Sequence, residues 1–296
     1  MTEAEFIAAL RHLPLHAGAR GLQDDAALVG GLVVTCDTLV EGVHFLPDDP
    51  AGDVAWKLVA TNLSDLAAKG ASPEGIVLSY PLSGHDWDGV FLAGLAEALD
   101  AFDCPLIGGD TVHLPAGAPR VLTVTALGRD AAAPARSGAR AGDALWVTGT
   151  IGDAGAGLAI ARGAEGPAGL LAAYRRPQPR LAEGRALAPV VHAMMDVSDG
   201  LLLDASRMAA ASGLAVTIDL GAVPLSSAYR AWGLGALAAA TAGDDYALLF
   251  ALPDGTAPPI PATRIGAFAA GRGLDLRQDG VRVPPPDRLG YLHAAP

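Results

Sequence analysis

The sequence predicts an α/β protein with α+β character, organised as two domains. Short apolar, strand-like runs alternate with alanine-rich helical stretches along most of the chain. Its 296 residues, 51% of them hydrophobic, are enough for two cores. Between the halves, Ala131–Gly142 is rich in Ala, Pro, Arg and Gly and has no period, which is the composition of a linker. The expected division is an N-terminal domain at 1–133 and a C-terminal domain at 134–296.

In order along the chain, Leu32–Cys36 reads as a strand. Asp53–Lys69 reads as a helix, with Asp53 a suitable N-cap and Gly70 placed where a left-handed residue ends helices. A strand at Gly75–Tyr80, a helix at Asp86–Ala101, and strands at Pro105–Ile107 and Val121–Leu127 follow. In the second half, Ala144–Thr148 is a strand and Asp153–Arg162 a helix. A strand around Val190–Met195 precedes a helix opened near Ser198 and stopped by Gly213. Strands then come at Leu214–Ile218 and Tyr246–Ala251, while the proline-rich tail after Pro258 offers no clear element.

Composition narrows the function. A net charge of −12 and a pI near 4.8 repel nucleic acid, whose binding depends on basic side chains meeting phosphates. Lysine occurs only at Lys57 and Lys69, and no basic run is present. The mean hydropathy, +0.34, raises the question of a membrane. The longest uncharged apolar stretch, Ala231–Gly243, falls well short of the roughly 18 residues a spanning helix needs, and reads as a buried helix. The N-terminus is acidic and carries no basic flank before an apolar run, so no signal peptide is read. Cys36 and Cys104 make neither a metal-ligand spacing nor a disulfide framework, which fits a reducing cytoplasm.

If such an acidic chain handles phosphates, cations must do much of the neutralising. Standard phosphate loops are absent: there is no Gly-Lys dipeptide, and Gly152-Asp-Ala-Gly155-Ala-Gly157 has the spacing of a tight strand-to-helix connection rather than a dinucleotide cradle. Aspartates recur instead at the ends of expected elements: Asp24, Asp25, Asp37, Asp65, Asp110, Asp196, Asp199, Asp244 and Asp245. In α/β sheets the ligand crevice lies outside the carboxyl ends of strands, which favours these positions. Each one singly also fits a helix cap or a turn. Capping does not, however, explain Gly108-Gly109-Asp110 together with Asp196-Val-Ser-Asp199-Gly200.

Two carboxylates about 4 Å apart repel by roughly 4 kcal/mol at an effective dielectric near 20, so a cluster of them calls for divalent ions. Oxygen ligands without a Cys or His cluster point to Mg²⁺, which completes its shell with water and substrate phosphate. Gly108 and Gly109 would let backbone approach a phosphate, and Ser198 and Asp199 would open a helix whose amides face an anion. Arg136 is either a phosphate clamp or a solvated linker arginine. His44, in a loop beside Glu41 and Gly42, is either structural or a substrate contact.

Taken together and in order, the following segments resemble the thiamine-monophosphate kinases, members of the superfamily that includes aminoimidazole ribonucleotide synthetase. They are Gln23-Asp-Asp-Ala-Ala-Leu28, Thr35-Cys-Asp-Thr-Leu-Val-Glu-Gly-Val-His-Phe45, Thr61-Asn-Leu-Ser-Asp-Leu-Ala-Ala-Lys-Gly-Ala71, Leu106-Ile-Gly-Gly-Asp-Thr111, Ala135-Arg-Ser-Gly-Ala139, Asp196-Val-Ser-Asp-Gly-Leu201 and Gly243-Asp-Asp-Tyr246. The resemblance implies ATP-dependent phosphorylation of thiamine monophosphate to thiamine diphosphate, assisted by several Mg²⁺ ions. It implies metal ligands at Asp25, Asp37, Asp65, Asp110, Asp196 and Asp199. Thr35 and Cys36 would add oxygen contacts, Cys36 only through its carbonyl. It further implies ATP contacts at Gly109, Asp110, Arg136 and Ser198, and substrate contacts at His44, Asp244 and Tyr291. The implied fold is the two-domain synthetase-like fold, the N-terminal sheet pairing with that of a second copy in a homodimer.

Three positions depart from the family pattern: Gln23 for a usual Gly, Lys69 for a usual Met, and Asp244 for a usual Glu one methylene longer. Two other readings of the motifs stay open. One is another ATP-using member of the superfamily, such as the ribonucleotide synthetase, in which ATP activates a carbonyl oxygen. The other is a non-catalytic nucleotide- or metal-binding protein.

Overall fold

The computed structural model describes residues 1–129 and 132–293. Asp130 and Ala131, at the start of the expected linker, and residues 294–296 lie outside the described residues. The N-terminal half runs α1 (Glu3–Leu10), β1 (Ala27–Val29), β2 (Leu32–Val40), α2 (Ala51–Ala68), β3 (Ser72–Leu82), α3 (His85–Ala101), β4 (Leu106–His113) and β5 (Val121–Arg129). The second half runs β6 (Ala144–Val147), α4 (Asp153–Ala161), α5 (Ala168–Arg175), α6 (Leu181–Leu187), β7 (Ala193–Asp196), α7 (Leu201–Ala211), β8 (Leu214–Asp219), α8 (Ser227–Trp232), α9 (Ala236–Ala240), β9 (Leu248–Leu252), β10 (Thr263–Ala270), β11 (Gly273–Gln278) and β12 (Val281–Arg282).

Each half forms one mixed sheet. The first has the order β1-β2-β5-β3-β4, antiparallel except for the parallel β3–β4 pair. The second has the order β12-β11-β8-β10-β6-β9-β7, with only β11–β8 parallel. Alternation along β2 turns Val33 and Leu39 into the first core, where they meet Leu58, Leu63 and Leu66 of α2. The second core gathers Leu145, Val147, Leu201, Met208, Val216 and Phe268. A third apolar cluster joins the halves, with Ala67 and Ala68 of α2 packed among Leu187, Met194, Phe250 and Leu252.

Helix α2 therefore has hardly any face left for water, and its polar residues are buried too: Lys57, Thr61, Asn62, Ser64 and Lys69. Its contact with α6 is close. A Cβ on Gly184 would stand 2.0 Å from the Ala67 carbonyl oxygen, so glycine is required there. Gly70 takes the left-handed conformation expected of it, at φ 68°.

Several expectations change. The N-cap position of α2 is Pro50, and Asp53 sits inside the first turn, where a carboxylate still favours the helix dipole. Strands β2 and β4 run past their apolar cores, so Asp37 and Asp110 lie within strands and not after them. Helix α7 begins at Leu201, leaving Ser198 and Asp199 in the turn before it. The stretch Ala231–Gly243 is not one helix, because Gly233 at φ 90° ends α8 and a short α9 follows. The tail forms β10, which lies inside the sheet between β8 and β6, and the β11–β12 hairpin at its edge, their alternation diluted by Gly and Ala. No helix among the described residues is long and apolar enough to cross a membrane.

Candidate metal and phosphate site

The site begins at the seam between β2, α2 and β7. Residues Thr35 and Asp37 share the face of β2 that looks towards α2, while Cys36 points its side chain to the opposite, exposed face. On α2, Asn62, Asp65 and Lys69 recur at helical spacing along one face. The Asn62 Oδ1 accepts the Asp37 backbone N–H at 3.0 Å, and Thr35 Oγ1 donates to Asp65 Oδ2 in a short hydrogen bond. From the second half, Asp196 at the end of β7 accepts a hydrogen bond from Ser64 Oγ at 2.5 Å. Carboxylate oxygens of Asp25, Asp65 and Asp196 all come within 4.8 Å of one another. Three distant stretches of chain thus converge on one small volume.

The electrostatics of this volume are those of crowded negative charge, with paired cations at Asp25. Burial, then the charges of Asp37, Asp196 and Asp25, push the Asp65 carboxyl well above its usual range. Burial and the Asp25 charge raise Asp196 to about 8, and burial with Asp25 and Asp199 raises Asp37 to about 6. Asp25 behaves oppositely. Burial opposes its charge, but Lys69 and Arg136 outweigh burial and hold its carboxyl low. A buried, oxygen-only set in which Asp65 and Asp196 are pushed upward by burial and by their neighbours' charge suits a hard divalent ion such as Mg²⁺.

Two fixed cations stand at the rim. Arg136 pairs through Nη2 with Asp25 Oδ1 in a short contact, and its backbone N–H reaches Asp24 Oδ1 at 3.3 Å. Its Nε is buried and has no hydrogen-bond partner among the described residues. The solvated-linker reading of Arg136 is thereby excluded. Lys69 Nζ lies 2.7 Å from Asp25 Oδ2 and 2.5 Å from Asp24 Oδ1.

The turn before α7 is organised by a residue that sequence reading passed over. Asp204 is fully buried, and its Oδ2 accepts the backbone N–H groups of Ser198, Asp199 and Gly200 at 3.1, 3.0 and 3.2 Å. These amides are consequently engaged, which corrects the expectation that they face an anion. Burial and Asp199 raise Asp204 to about 7, against the pull of Arg207. Arg207 Nη1 bridges Asp204 Oδ1 at 3.1 Å and Asp199 Oδ2 in a short contact. The i, i+3 spacing of Asp204 and Arg207 was the available signal.

On the other side of the seam, His44, Asp244 and Tyr291 fall into one neighbourhood. Lys57 Nζ bridges the His44 carbonyl oxygen at 3.1 Å and Asp244 Oδ2 at 2.8 Å. It also lies 4.2 Å from the centroid of the Tyr174 ring. Asp244, at φ 63°, accepts from Tyr246 Oη at 3.0 Å. The His44 ring is 5.3 Å from His293, which meets Tyr291 edge-on at 5.0 Å. The Tyr291 backbone N–H donates to the Asp199 carbonyl at 2.8 Å, tying this group to the carboxylate turn. His44 Nδ1 accepts from the Val40 N–H, so Nε2 is the nitrogen left for another partner. Lys57 and His293 were not singled out by sequence.

Asp110 and Gly109 are not brought into the buried cluster. They lie on β4, the edge strand of the first sheet, all of whose residues are exposed. Gly109 has a local reason to be glycine, since a Cβ there would stand 2.2 Å from the Leu78 carbonyl oxygen of β3. Gly108 has open space.

Comparison with known proteins identifies the family. The family model of the AIR synthase related protein N-terminal domain matches residues 23–129, and that of the C-terminal domain matches residues 140–256. The thiamine-monophosphate kinase of Caulobacter vibrioides is 40% identical, over 99% of this chain and 91% of its own. That of Salmonella typhimurium is 38% identical, over 93% of this chain and 92% of its own. Among solved structures, AaThiL complexed with AMPPCP and TMP superposes with a TM-score of 0.84 at 29% identity, covering 99% of this chain and 97% of that one. The chain belongs to the thiamine-monophosphate kinase family, within the AIR synthase related proteins.

Proposed function

We propose that this protein transfers the γ-phosphoryl group of ATP to the phosphate of thiamine monophosphate, giving thiamine diphosphate. The observation that carries this reading is the convergence of Asp25, Asp65 and Asp196 from both halves of the chain, with Asp37 near enough for the Asp25 charge to raise it. The relatives' names and the AMPPCP and TMP of the structural neighbour supply the reaction class. Asp25, Asp37, Asp65, Asp110, Asp196 and Asp199 would hold several Mg²⁺ ions, with Thr35 and the Cys36 carbonyl beside them. Bound Mg²⁺ supplies charge neutralisation along the triphosphate. Gly109, Asp110, Arg136 and Ser198 would meet ATP, and His44, Asp244 and Tyr291 would meet the acceptor.

The protein's own side chains then have a positioning task. Arg136 can grip a phosphate oxygen through its unpartnered Nε while its other end stays on Asp25. No general base is needed, because a phosphate monoester with a second pKa of about 6 is already largely ionised at neutral pH. In-line attack follows when the two phosphates are held facing each other.

A homodimer completes the proposal. Strand β4 is an open edge carrying exposed Leu106, Ile107 and Val112, a surface that a second copy would cover by sheet pairing. It would also set Asp110 and Gly109 at a subunit boundary. The boundary between the domains is placed at 133/134, and the unpaired Cys36 and Cys104 favour the cytoplasm. Incubation with ATP, Mg²⁺ and thiamine monophosphate, followed by chromatography of the thiamine esters, tests the activity. Thiamine diphosphate and ADP in equal amounts are expected. ATP consumption without thiamine diphosphate would overturn the reading.

A further inference from the structure

Lys69 is 0% exposed, at the C-cap of α2, and everything around its ammonium is oxygen. Nζ lies 2.5 Å from Asp24 Oδ1, 2.7 Å from Asp25 Oδ2, 3.1 Å from the Met194 carbonyl and 3.2 Å from the Pro134 carbonyl. These oxygens come from the N-terminal segment, from β7 and from the segment entering the second half. Burying an ammonium is costly unless it is closely paired, so such a cage is not a default outcome of packing. Four oxygens from three parts of the chain are the environment a bound cation usually organises.

We propose that Lys69 is a permanent, covalently attached cation of the phosphate site. It holds Asp24 and Asp25 in place across the seam before any divalent ion binds. By occupying Asp25 it also weakens binding of Mg²⁺ to the nucleotide-free protein, so that divalent ions bind tightly only together with the triphosphate. The inference rests on the reading that Asp25 belongs to a metal-binding set. Lys69 is a positioning residue in it, touching neither ATP nor acceptor.

The test compares wild type with Lys69→Met, which keeps the length of the side chain and removes its charge. Mg²⁺ alone is titrated calorimetrically into nucleotide-free protein, and thermal unfolding is followed in EDTA and in Mg²⁺. Wild type should unfold within about 2 °C of the same midpoint in both. Lys69→Met should bind Mg²⁺ at least about tenfold more tightly, equivalent to about 1.4 kcal/mol. Its midpoint should fall in EDTA and recover in Mg²⁺. A purely structural lysine would lower the midpoint equally in both media and leave Mg²⁺ affinity unchanged, which overturns the inference. Should Lys69→Met not fold in either medium, the double variant with Asp24→Asn removes the ammonium together with the carboxylate nearest it, while Arg20, the other ion-pair partner of Asp24, keeps its hydrogen bond to the Ala133 carbonyl. It too should bind Mg²⁺ more tightly than wild type, and equal affinity overturns the inference. Mg²⁺-dependent binding of a non-hydrolysable ATP analogue to wild type separates the two levels. With that binding present, unchanged Mg²⁺ affinity in the variants removes the role of Lys69 alone; with it absent, the metal site falls as well.

Discussion

Asp65→Asn should stabilise the metal-free protein while abolishing its activity, the reverse of what most buried polar substitutions do. The amide can still accept the hydrogen bond that Thr35 Oγ1 gives to Oδ2, so packing and that contact survive. The carboxylate's neighbours are the problem it removes. Its oxygen lies within 4.8 Å of oxygens on Asp25 and Asp196, and two unit charges at that distance repel by roughly 3.5 kcal/mol at an effective dielectric of 20. Asp25 is already compensated by Lys69 and Arg136. Asp196, pushed up to about 8, carries about half its charge at pH 8. Asp65 is itself pushed well above the usual carboxylate range, so the native state bears this repulsion either as charge or as the cost of holding a proton. The amide removes both, a relief of at least about 2 kcal/mol, enough to raise the thermal midpoint by about 4 °C or more. Scanning calorimetry in EDTA at pH 8 measures it directly. Adding Mg²⁺ with a non-hydrolysable ATP analogue should then raise the wild-type midpoint and leave the variant nearly unmoved. A variant less stable than wild type in EDTA, or one stabilised equally by Mg²⁺ and the analogue, would refute the picture of a charge cluster awaiting cations.

Asp110→Asn, on an exposed edge strand, should leave stability within about 0.5 kcal/mol of wild type yet lower kcat/KM by about 10²-fold; wild-type turnover at low Mg²⁺ would remove Asp110 from the site. Asp204→Asn places an amide donor against Arg207 while keeping an acceptor for the Ser198–Gly200 amides; urea unfolding should show a loss of about 1–3 kcal/mol, and KM for ATP should rise more than kcat falls. In EDTA, stability should fall as pH rises from 5 to 8. Asp37 and Asp196 have folded pKa values of about 6 and 8, above their unfolded value, so the native state retains protons that the unfolded state has released. Each retained proton contributes a negative slope of about 1.4 kcal/mol per pH unit, measurable by urea titration at successive pH values; rising stability over that window would contradict the raised carboxyls.

Which parts of this were legible in sequence follows from how each feature is encoded. Asp25, Asp65 and Asp196 could be picked out because acidic residues beside apolar runs are locally conspicuous, and periodicity located α2, α3 and α7. Strand length was not legible. Asp37 and Asp110 lie inside β2 and β4 because pairing with β5 and β3 continues past the apolar residues, and pairing is a non-local fact. The β10–β12 tail was missed because Gly and Ala dilute its alternation and prolines flank it on both sides. Lys69 was visible only as a departure from a pattern, since nothing nearby announces that an ammonium after a helix will meet Asp24, Asp25 and two carbonyls from elsewhere. Asp204 was hidden for the contrary reason: an acidic residue in the first turn of a helix is ordinary, and nothing local shows that its partners are the three amides just before that helix.

The geometry gives α2 a role beyond that of a core helix. Towards its N-terminal end, Trp56 Nε1 reaches the Pro177 carbonyl and Lys57 reaches Asp244, fixing the proposed acceptor side of the second half. Towards its C-terminal end, Ser64 meets Asp196 and Lys69 meets Met194, fixing the carboxylate side. Lys57 and Asp65 are eight positions apart on one rigid rod, an axial separation of about 12 Å. The two ends of the site are therefore spaced by helix geometry and not by loop closure. For a reaction that brings two polyanions together without a base, spacing and charge are the main levers available. A single helix with packing on nearly every side supplies the first, and the carboxylates and fixed cations set along it prepare the second.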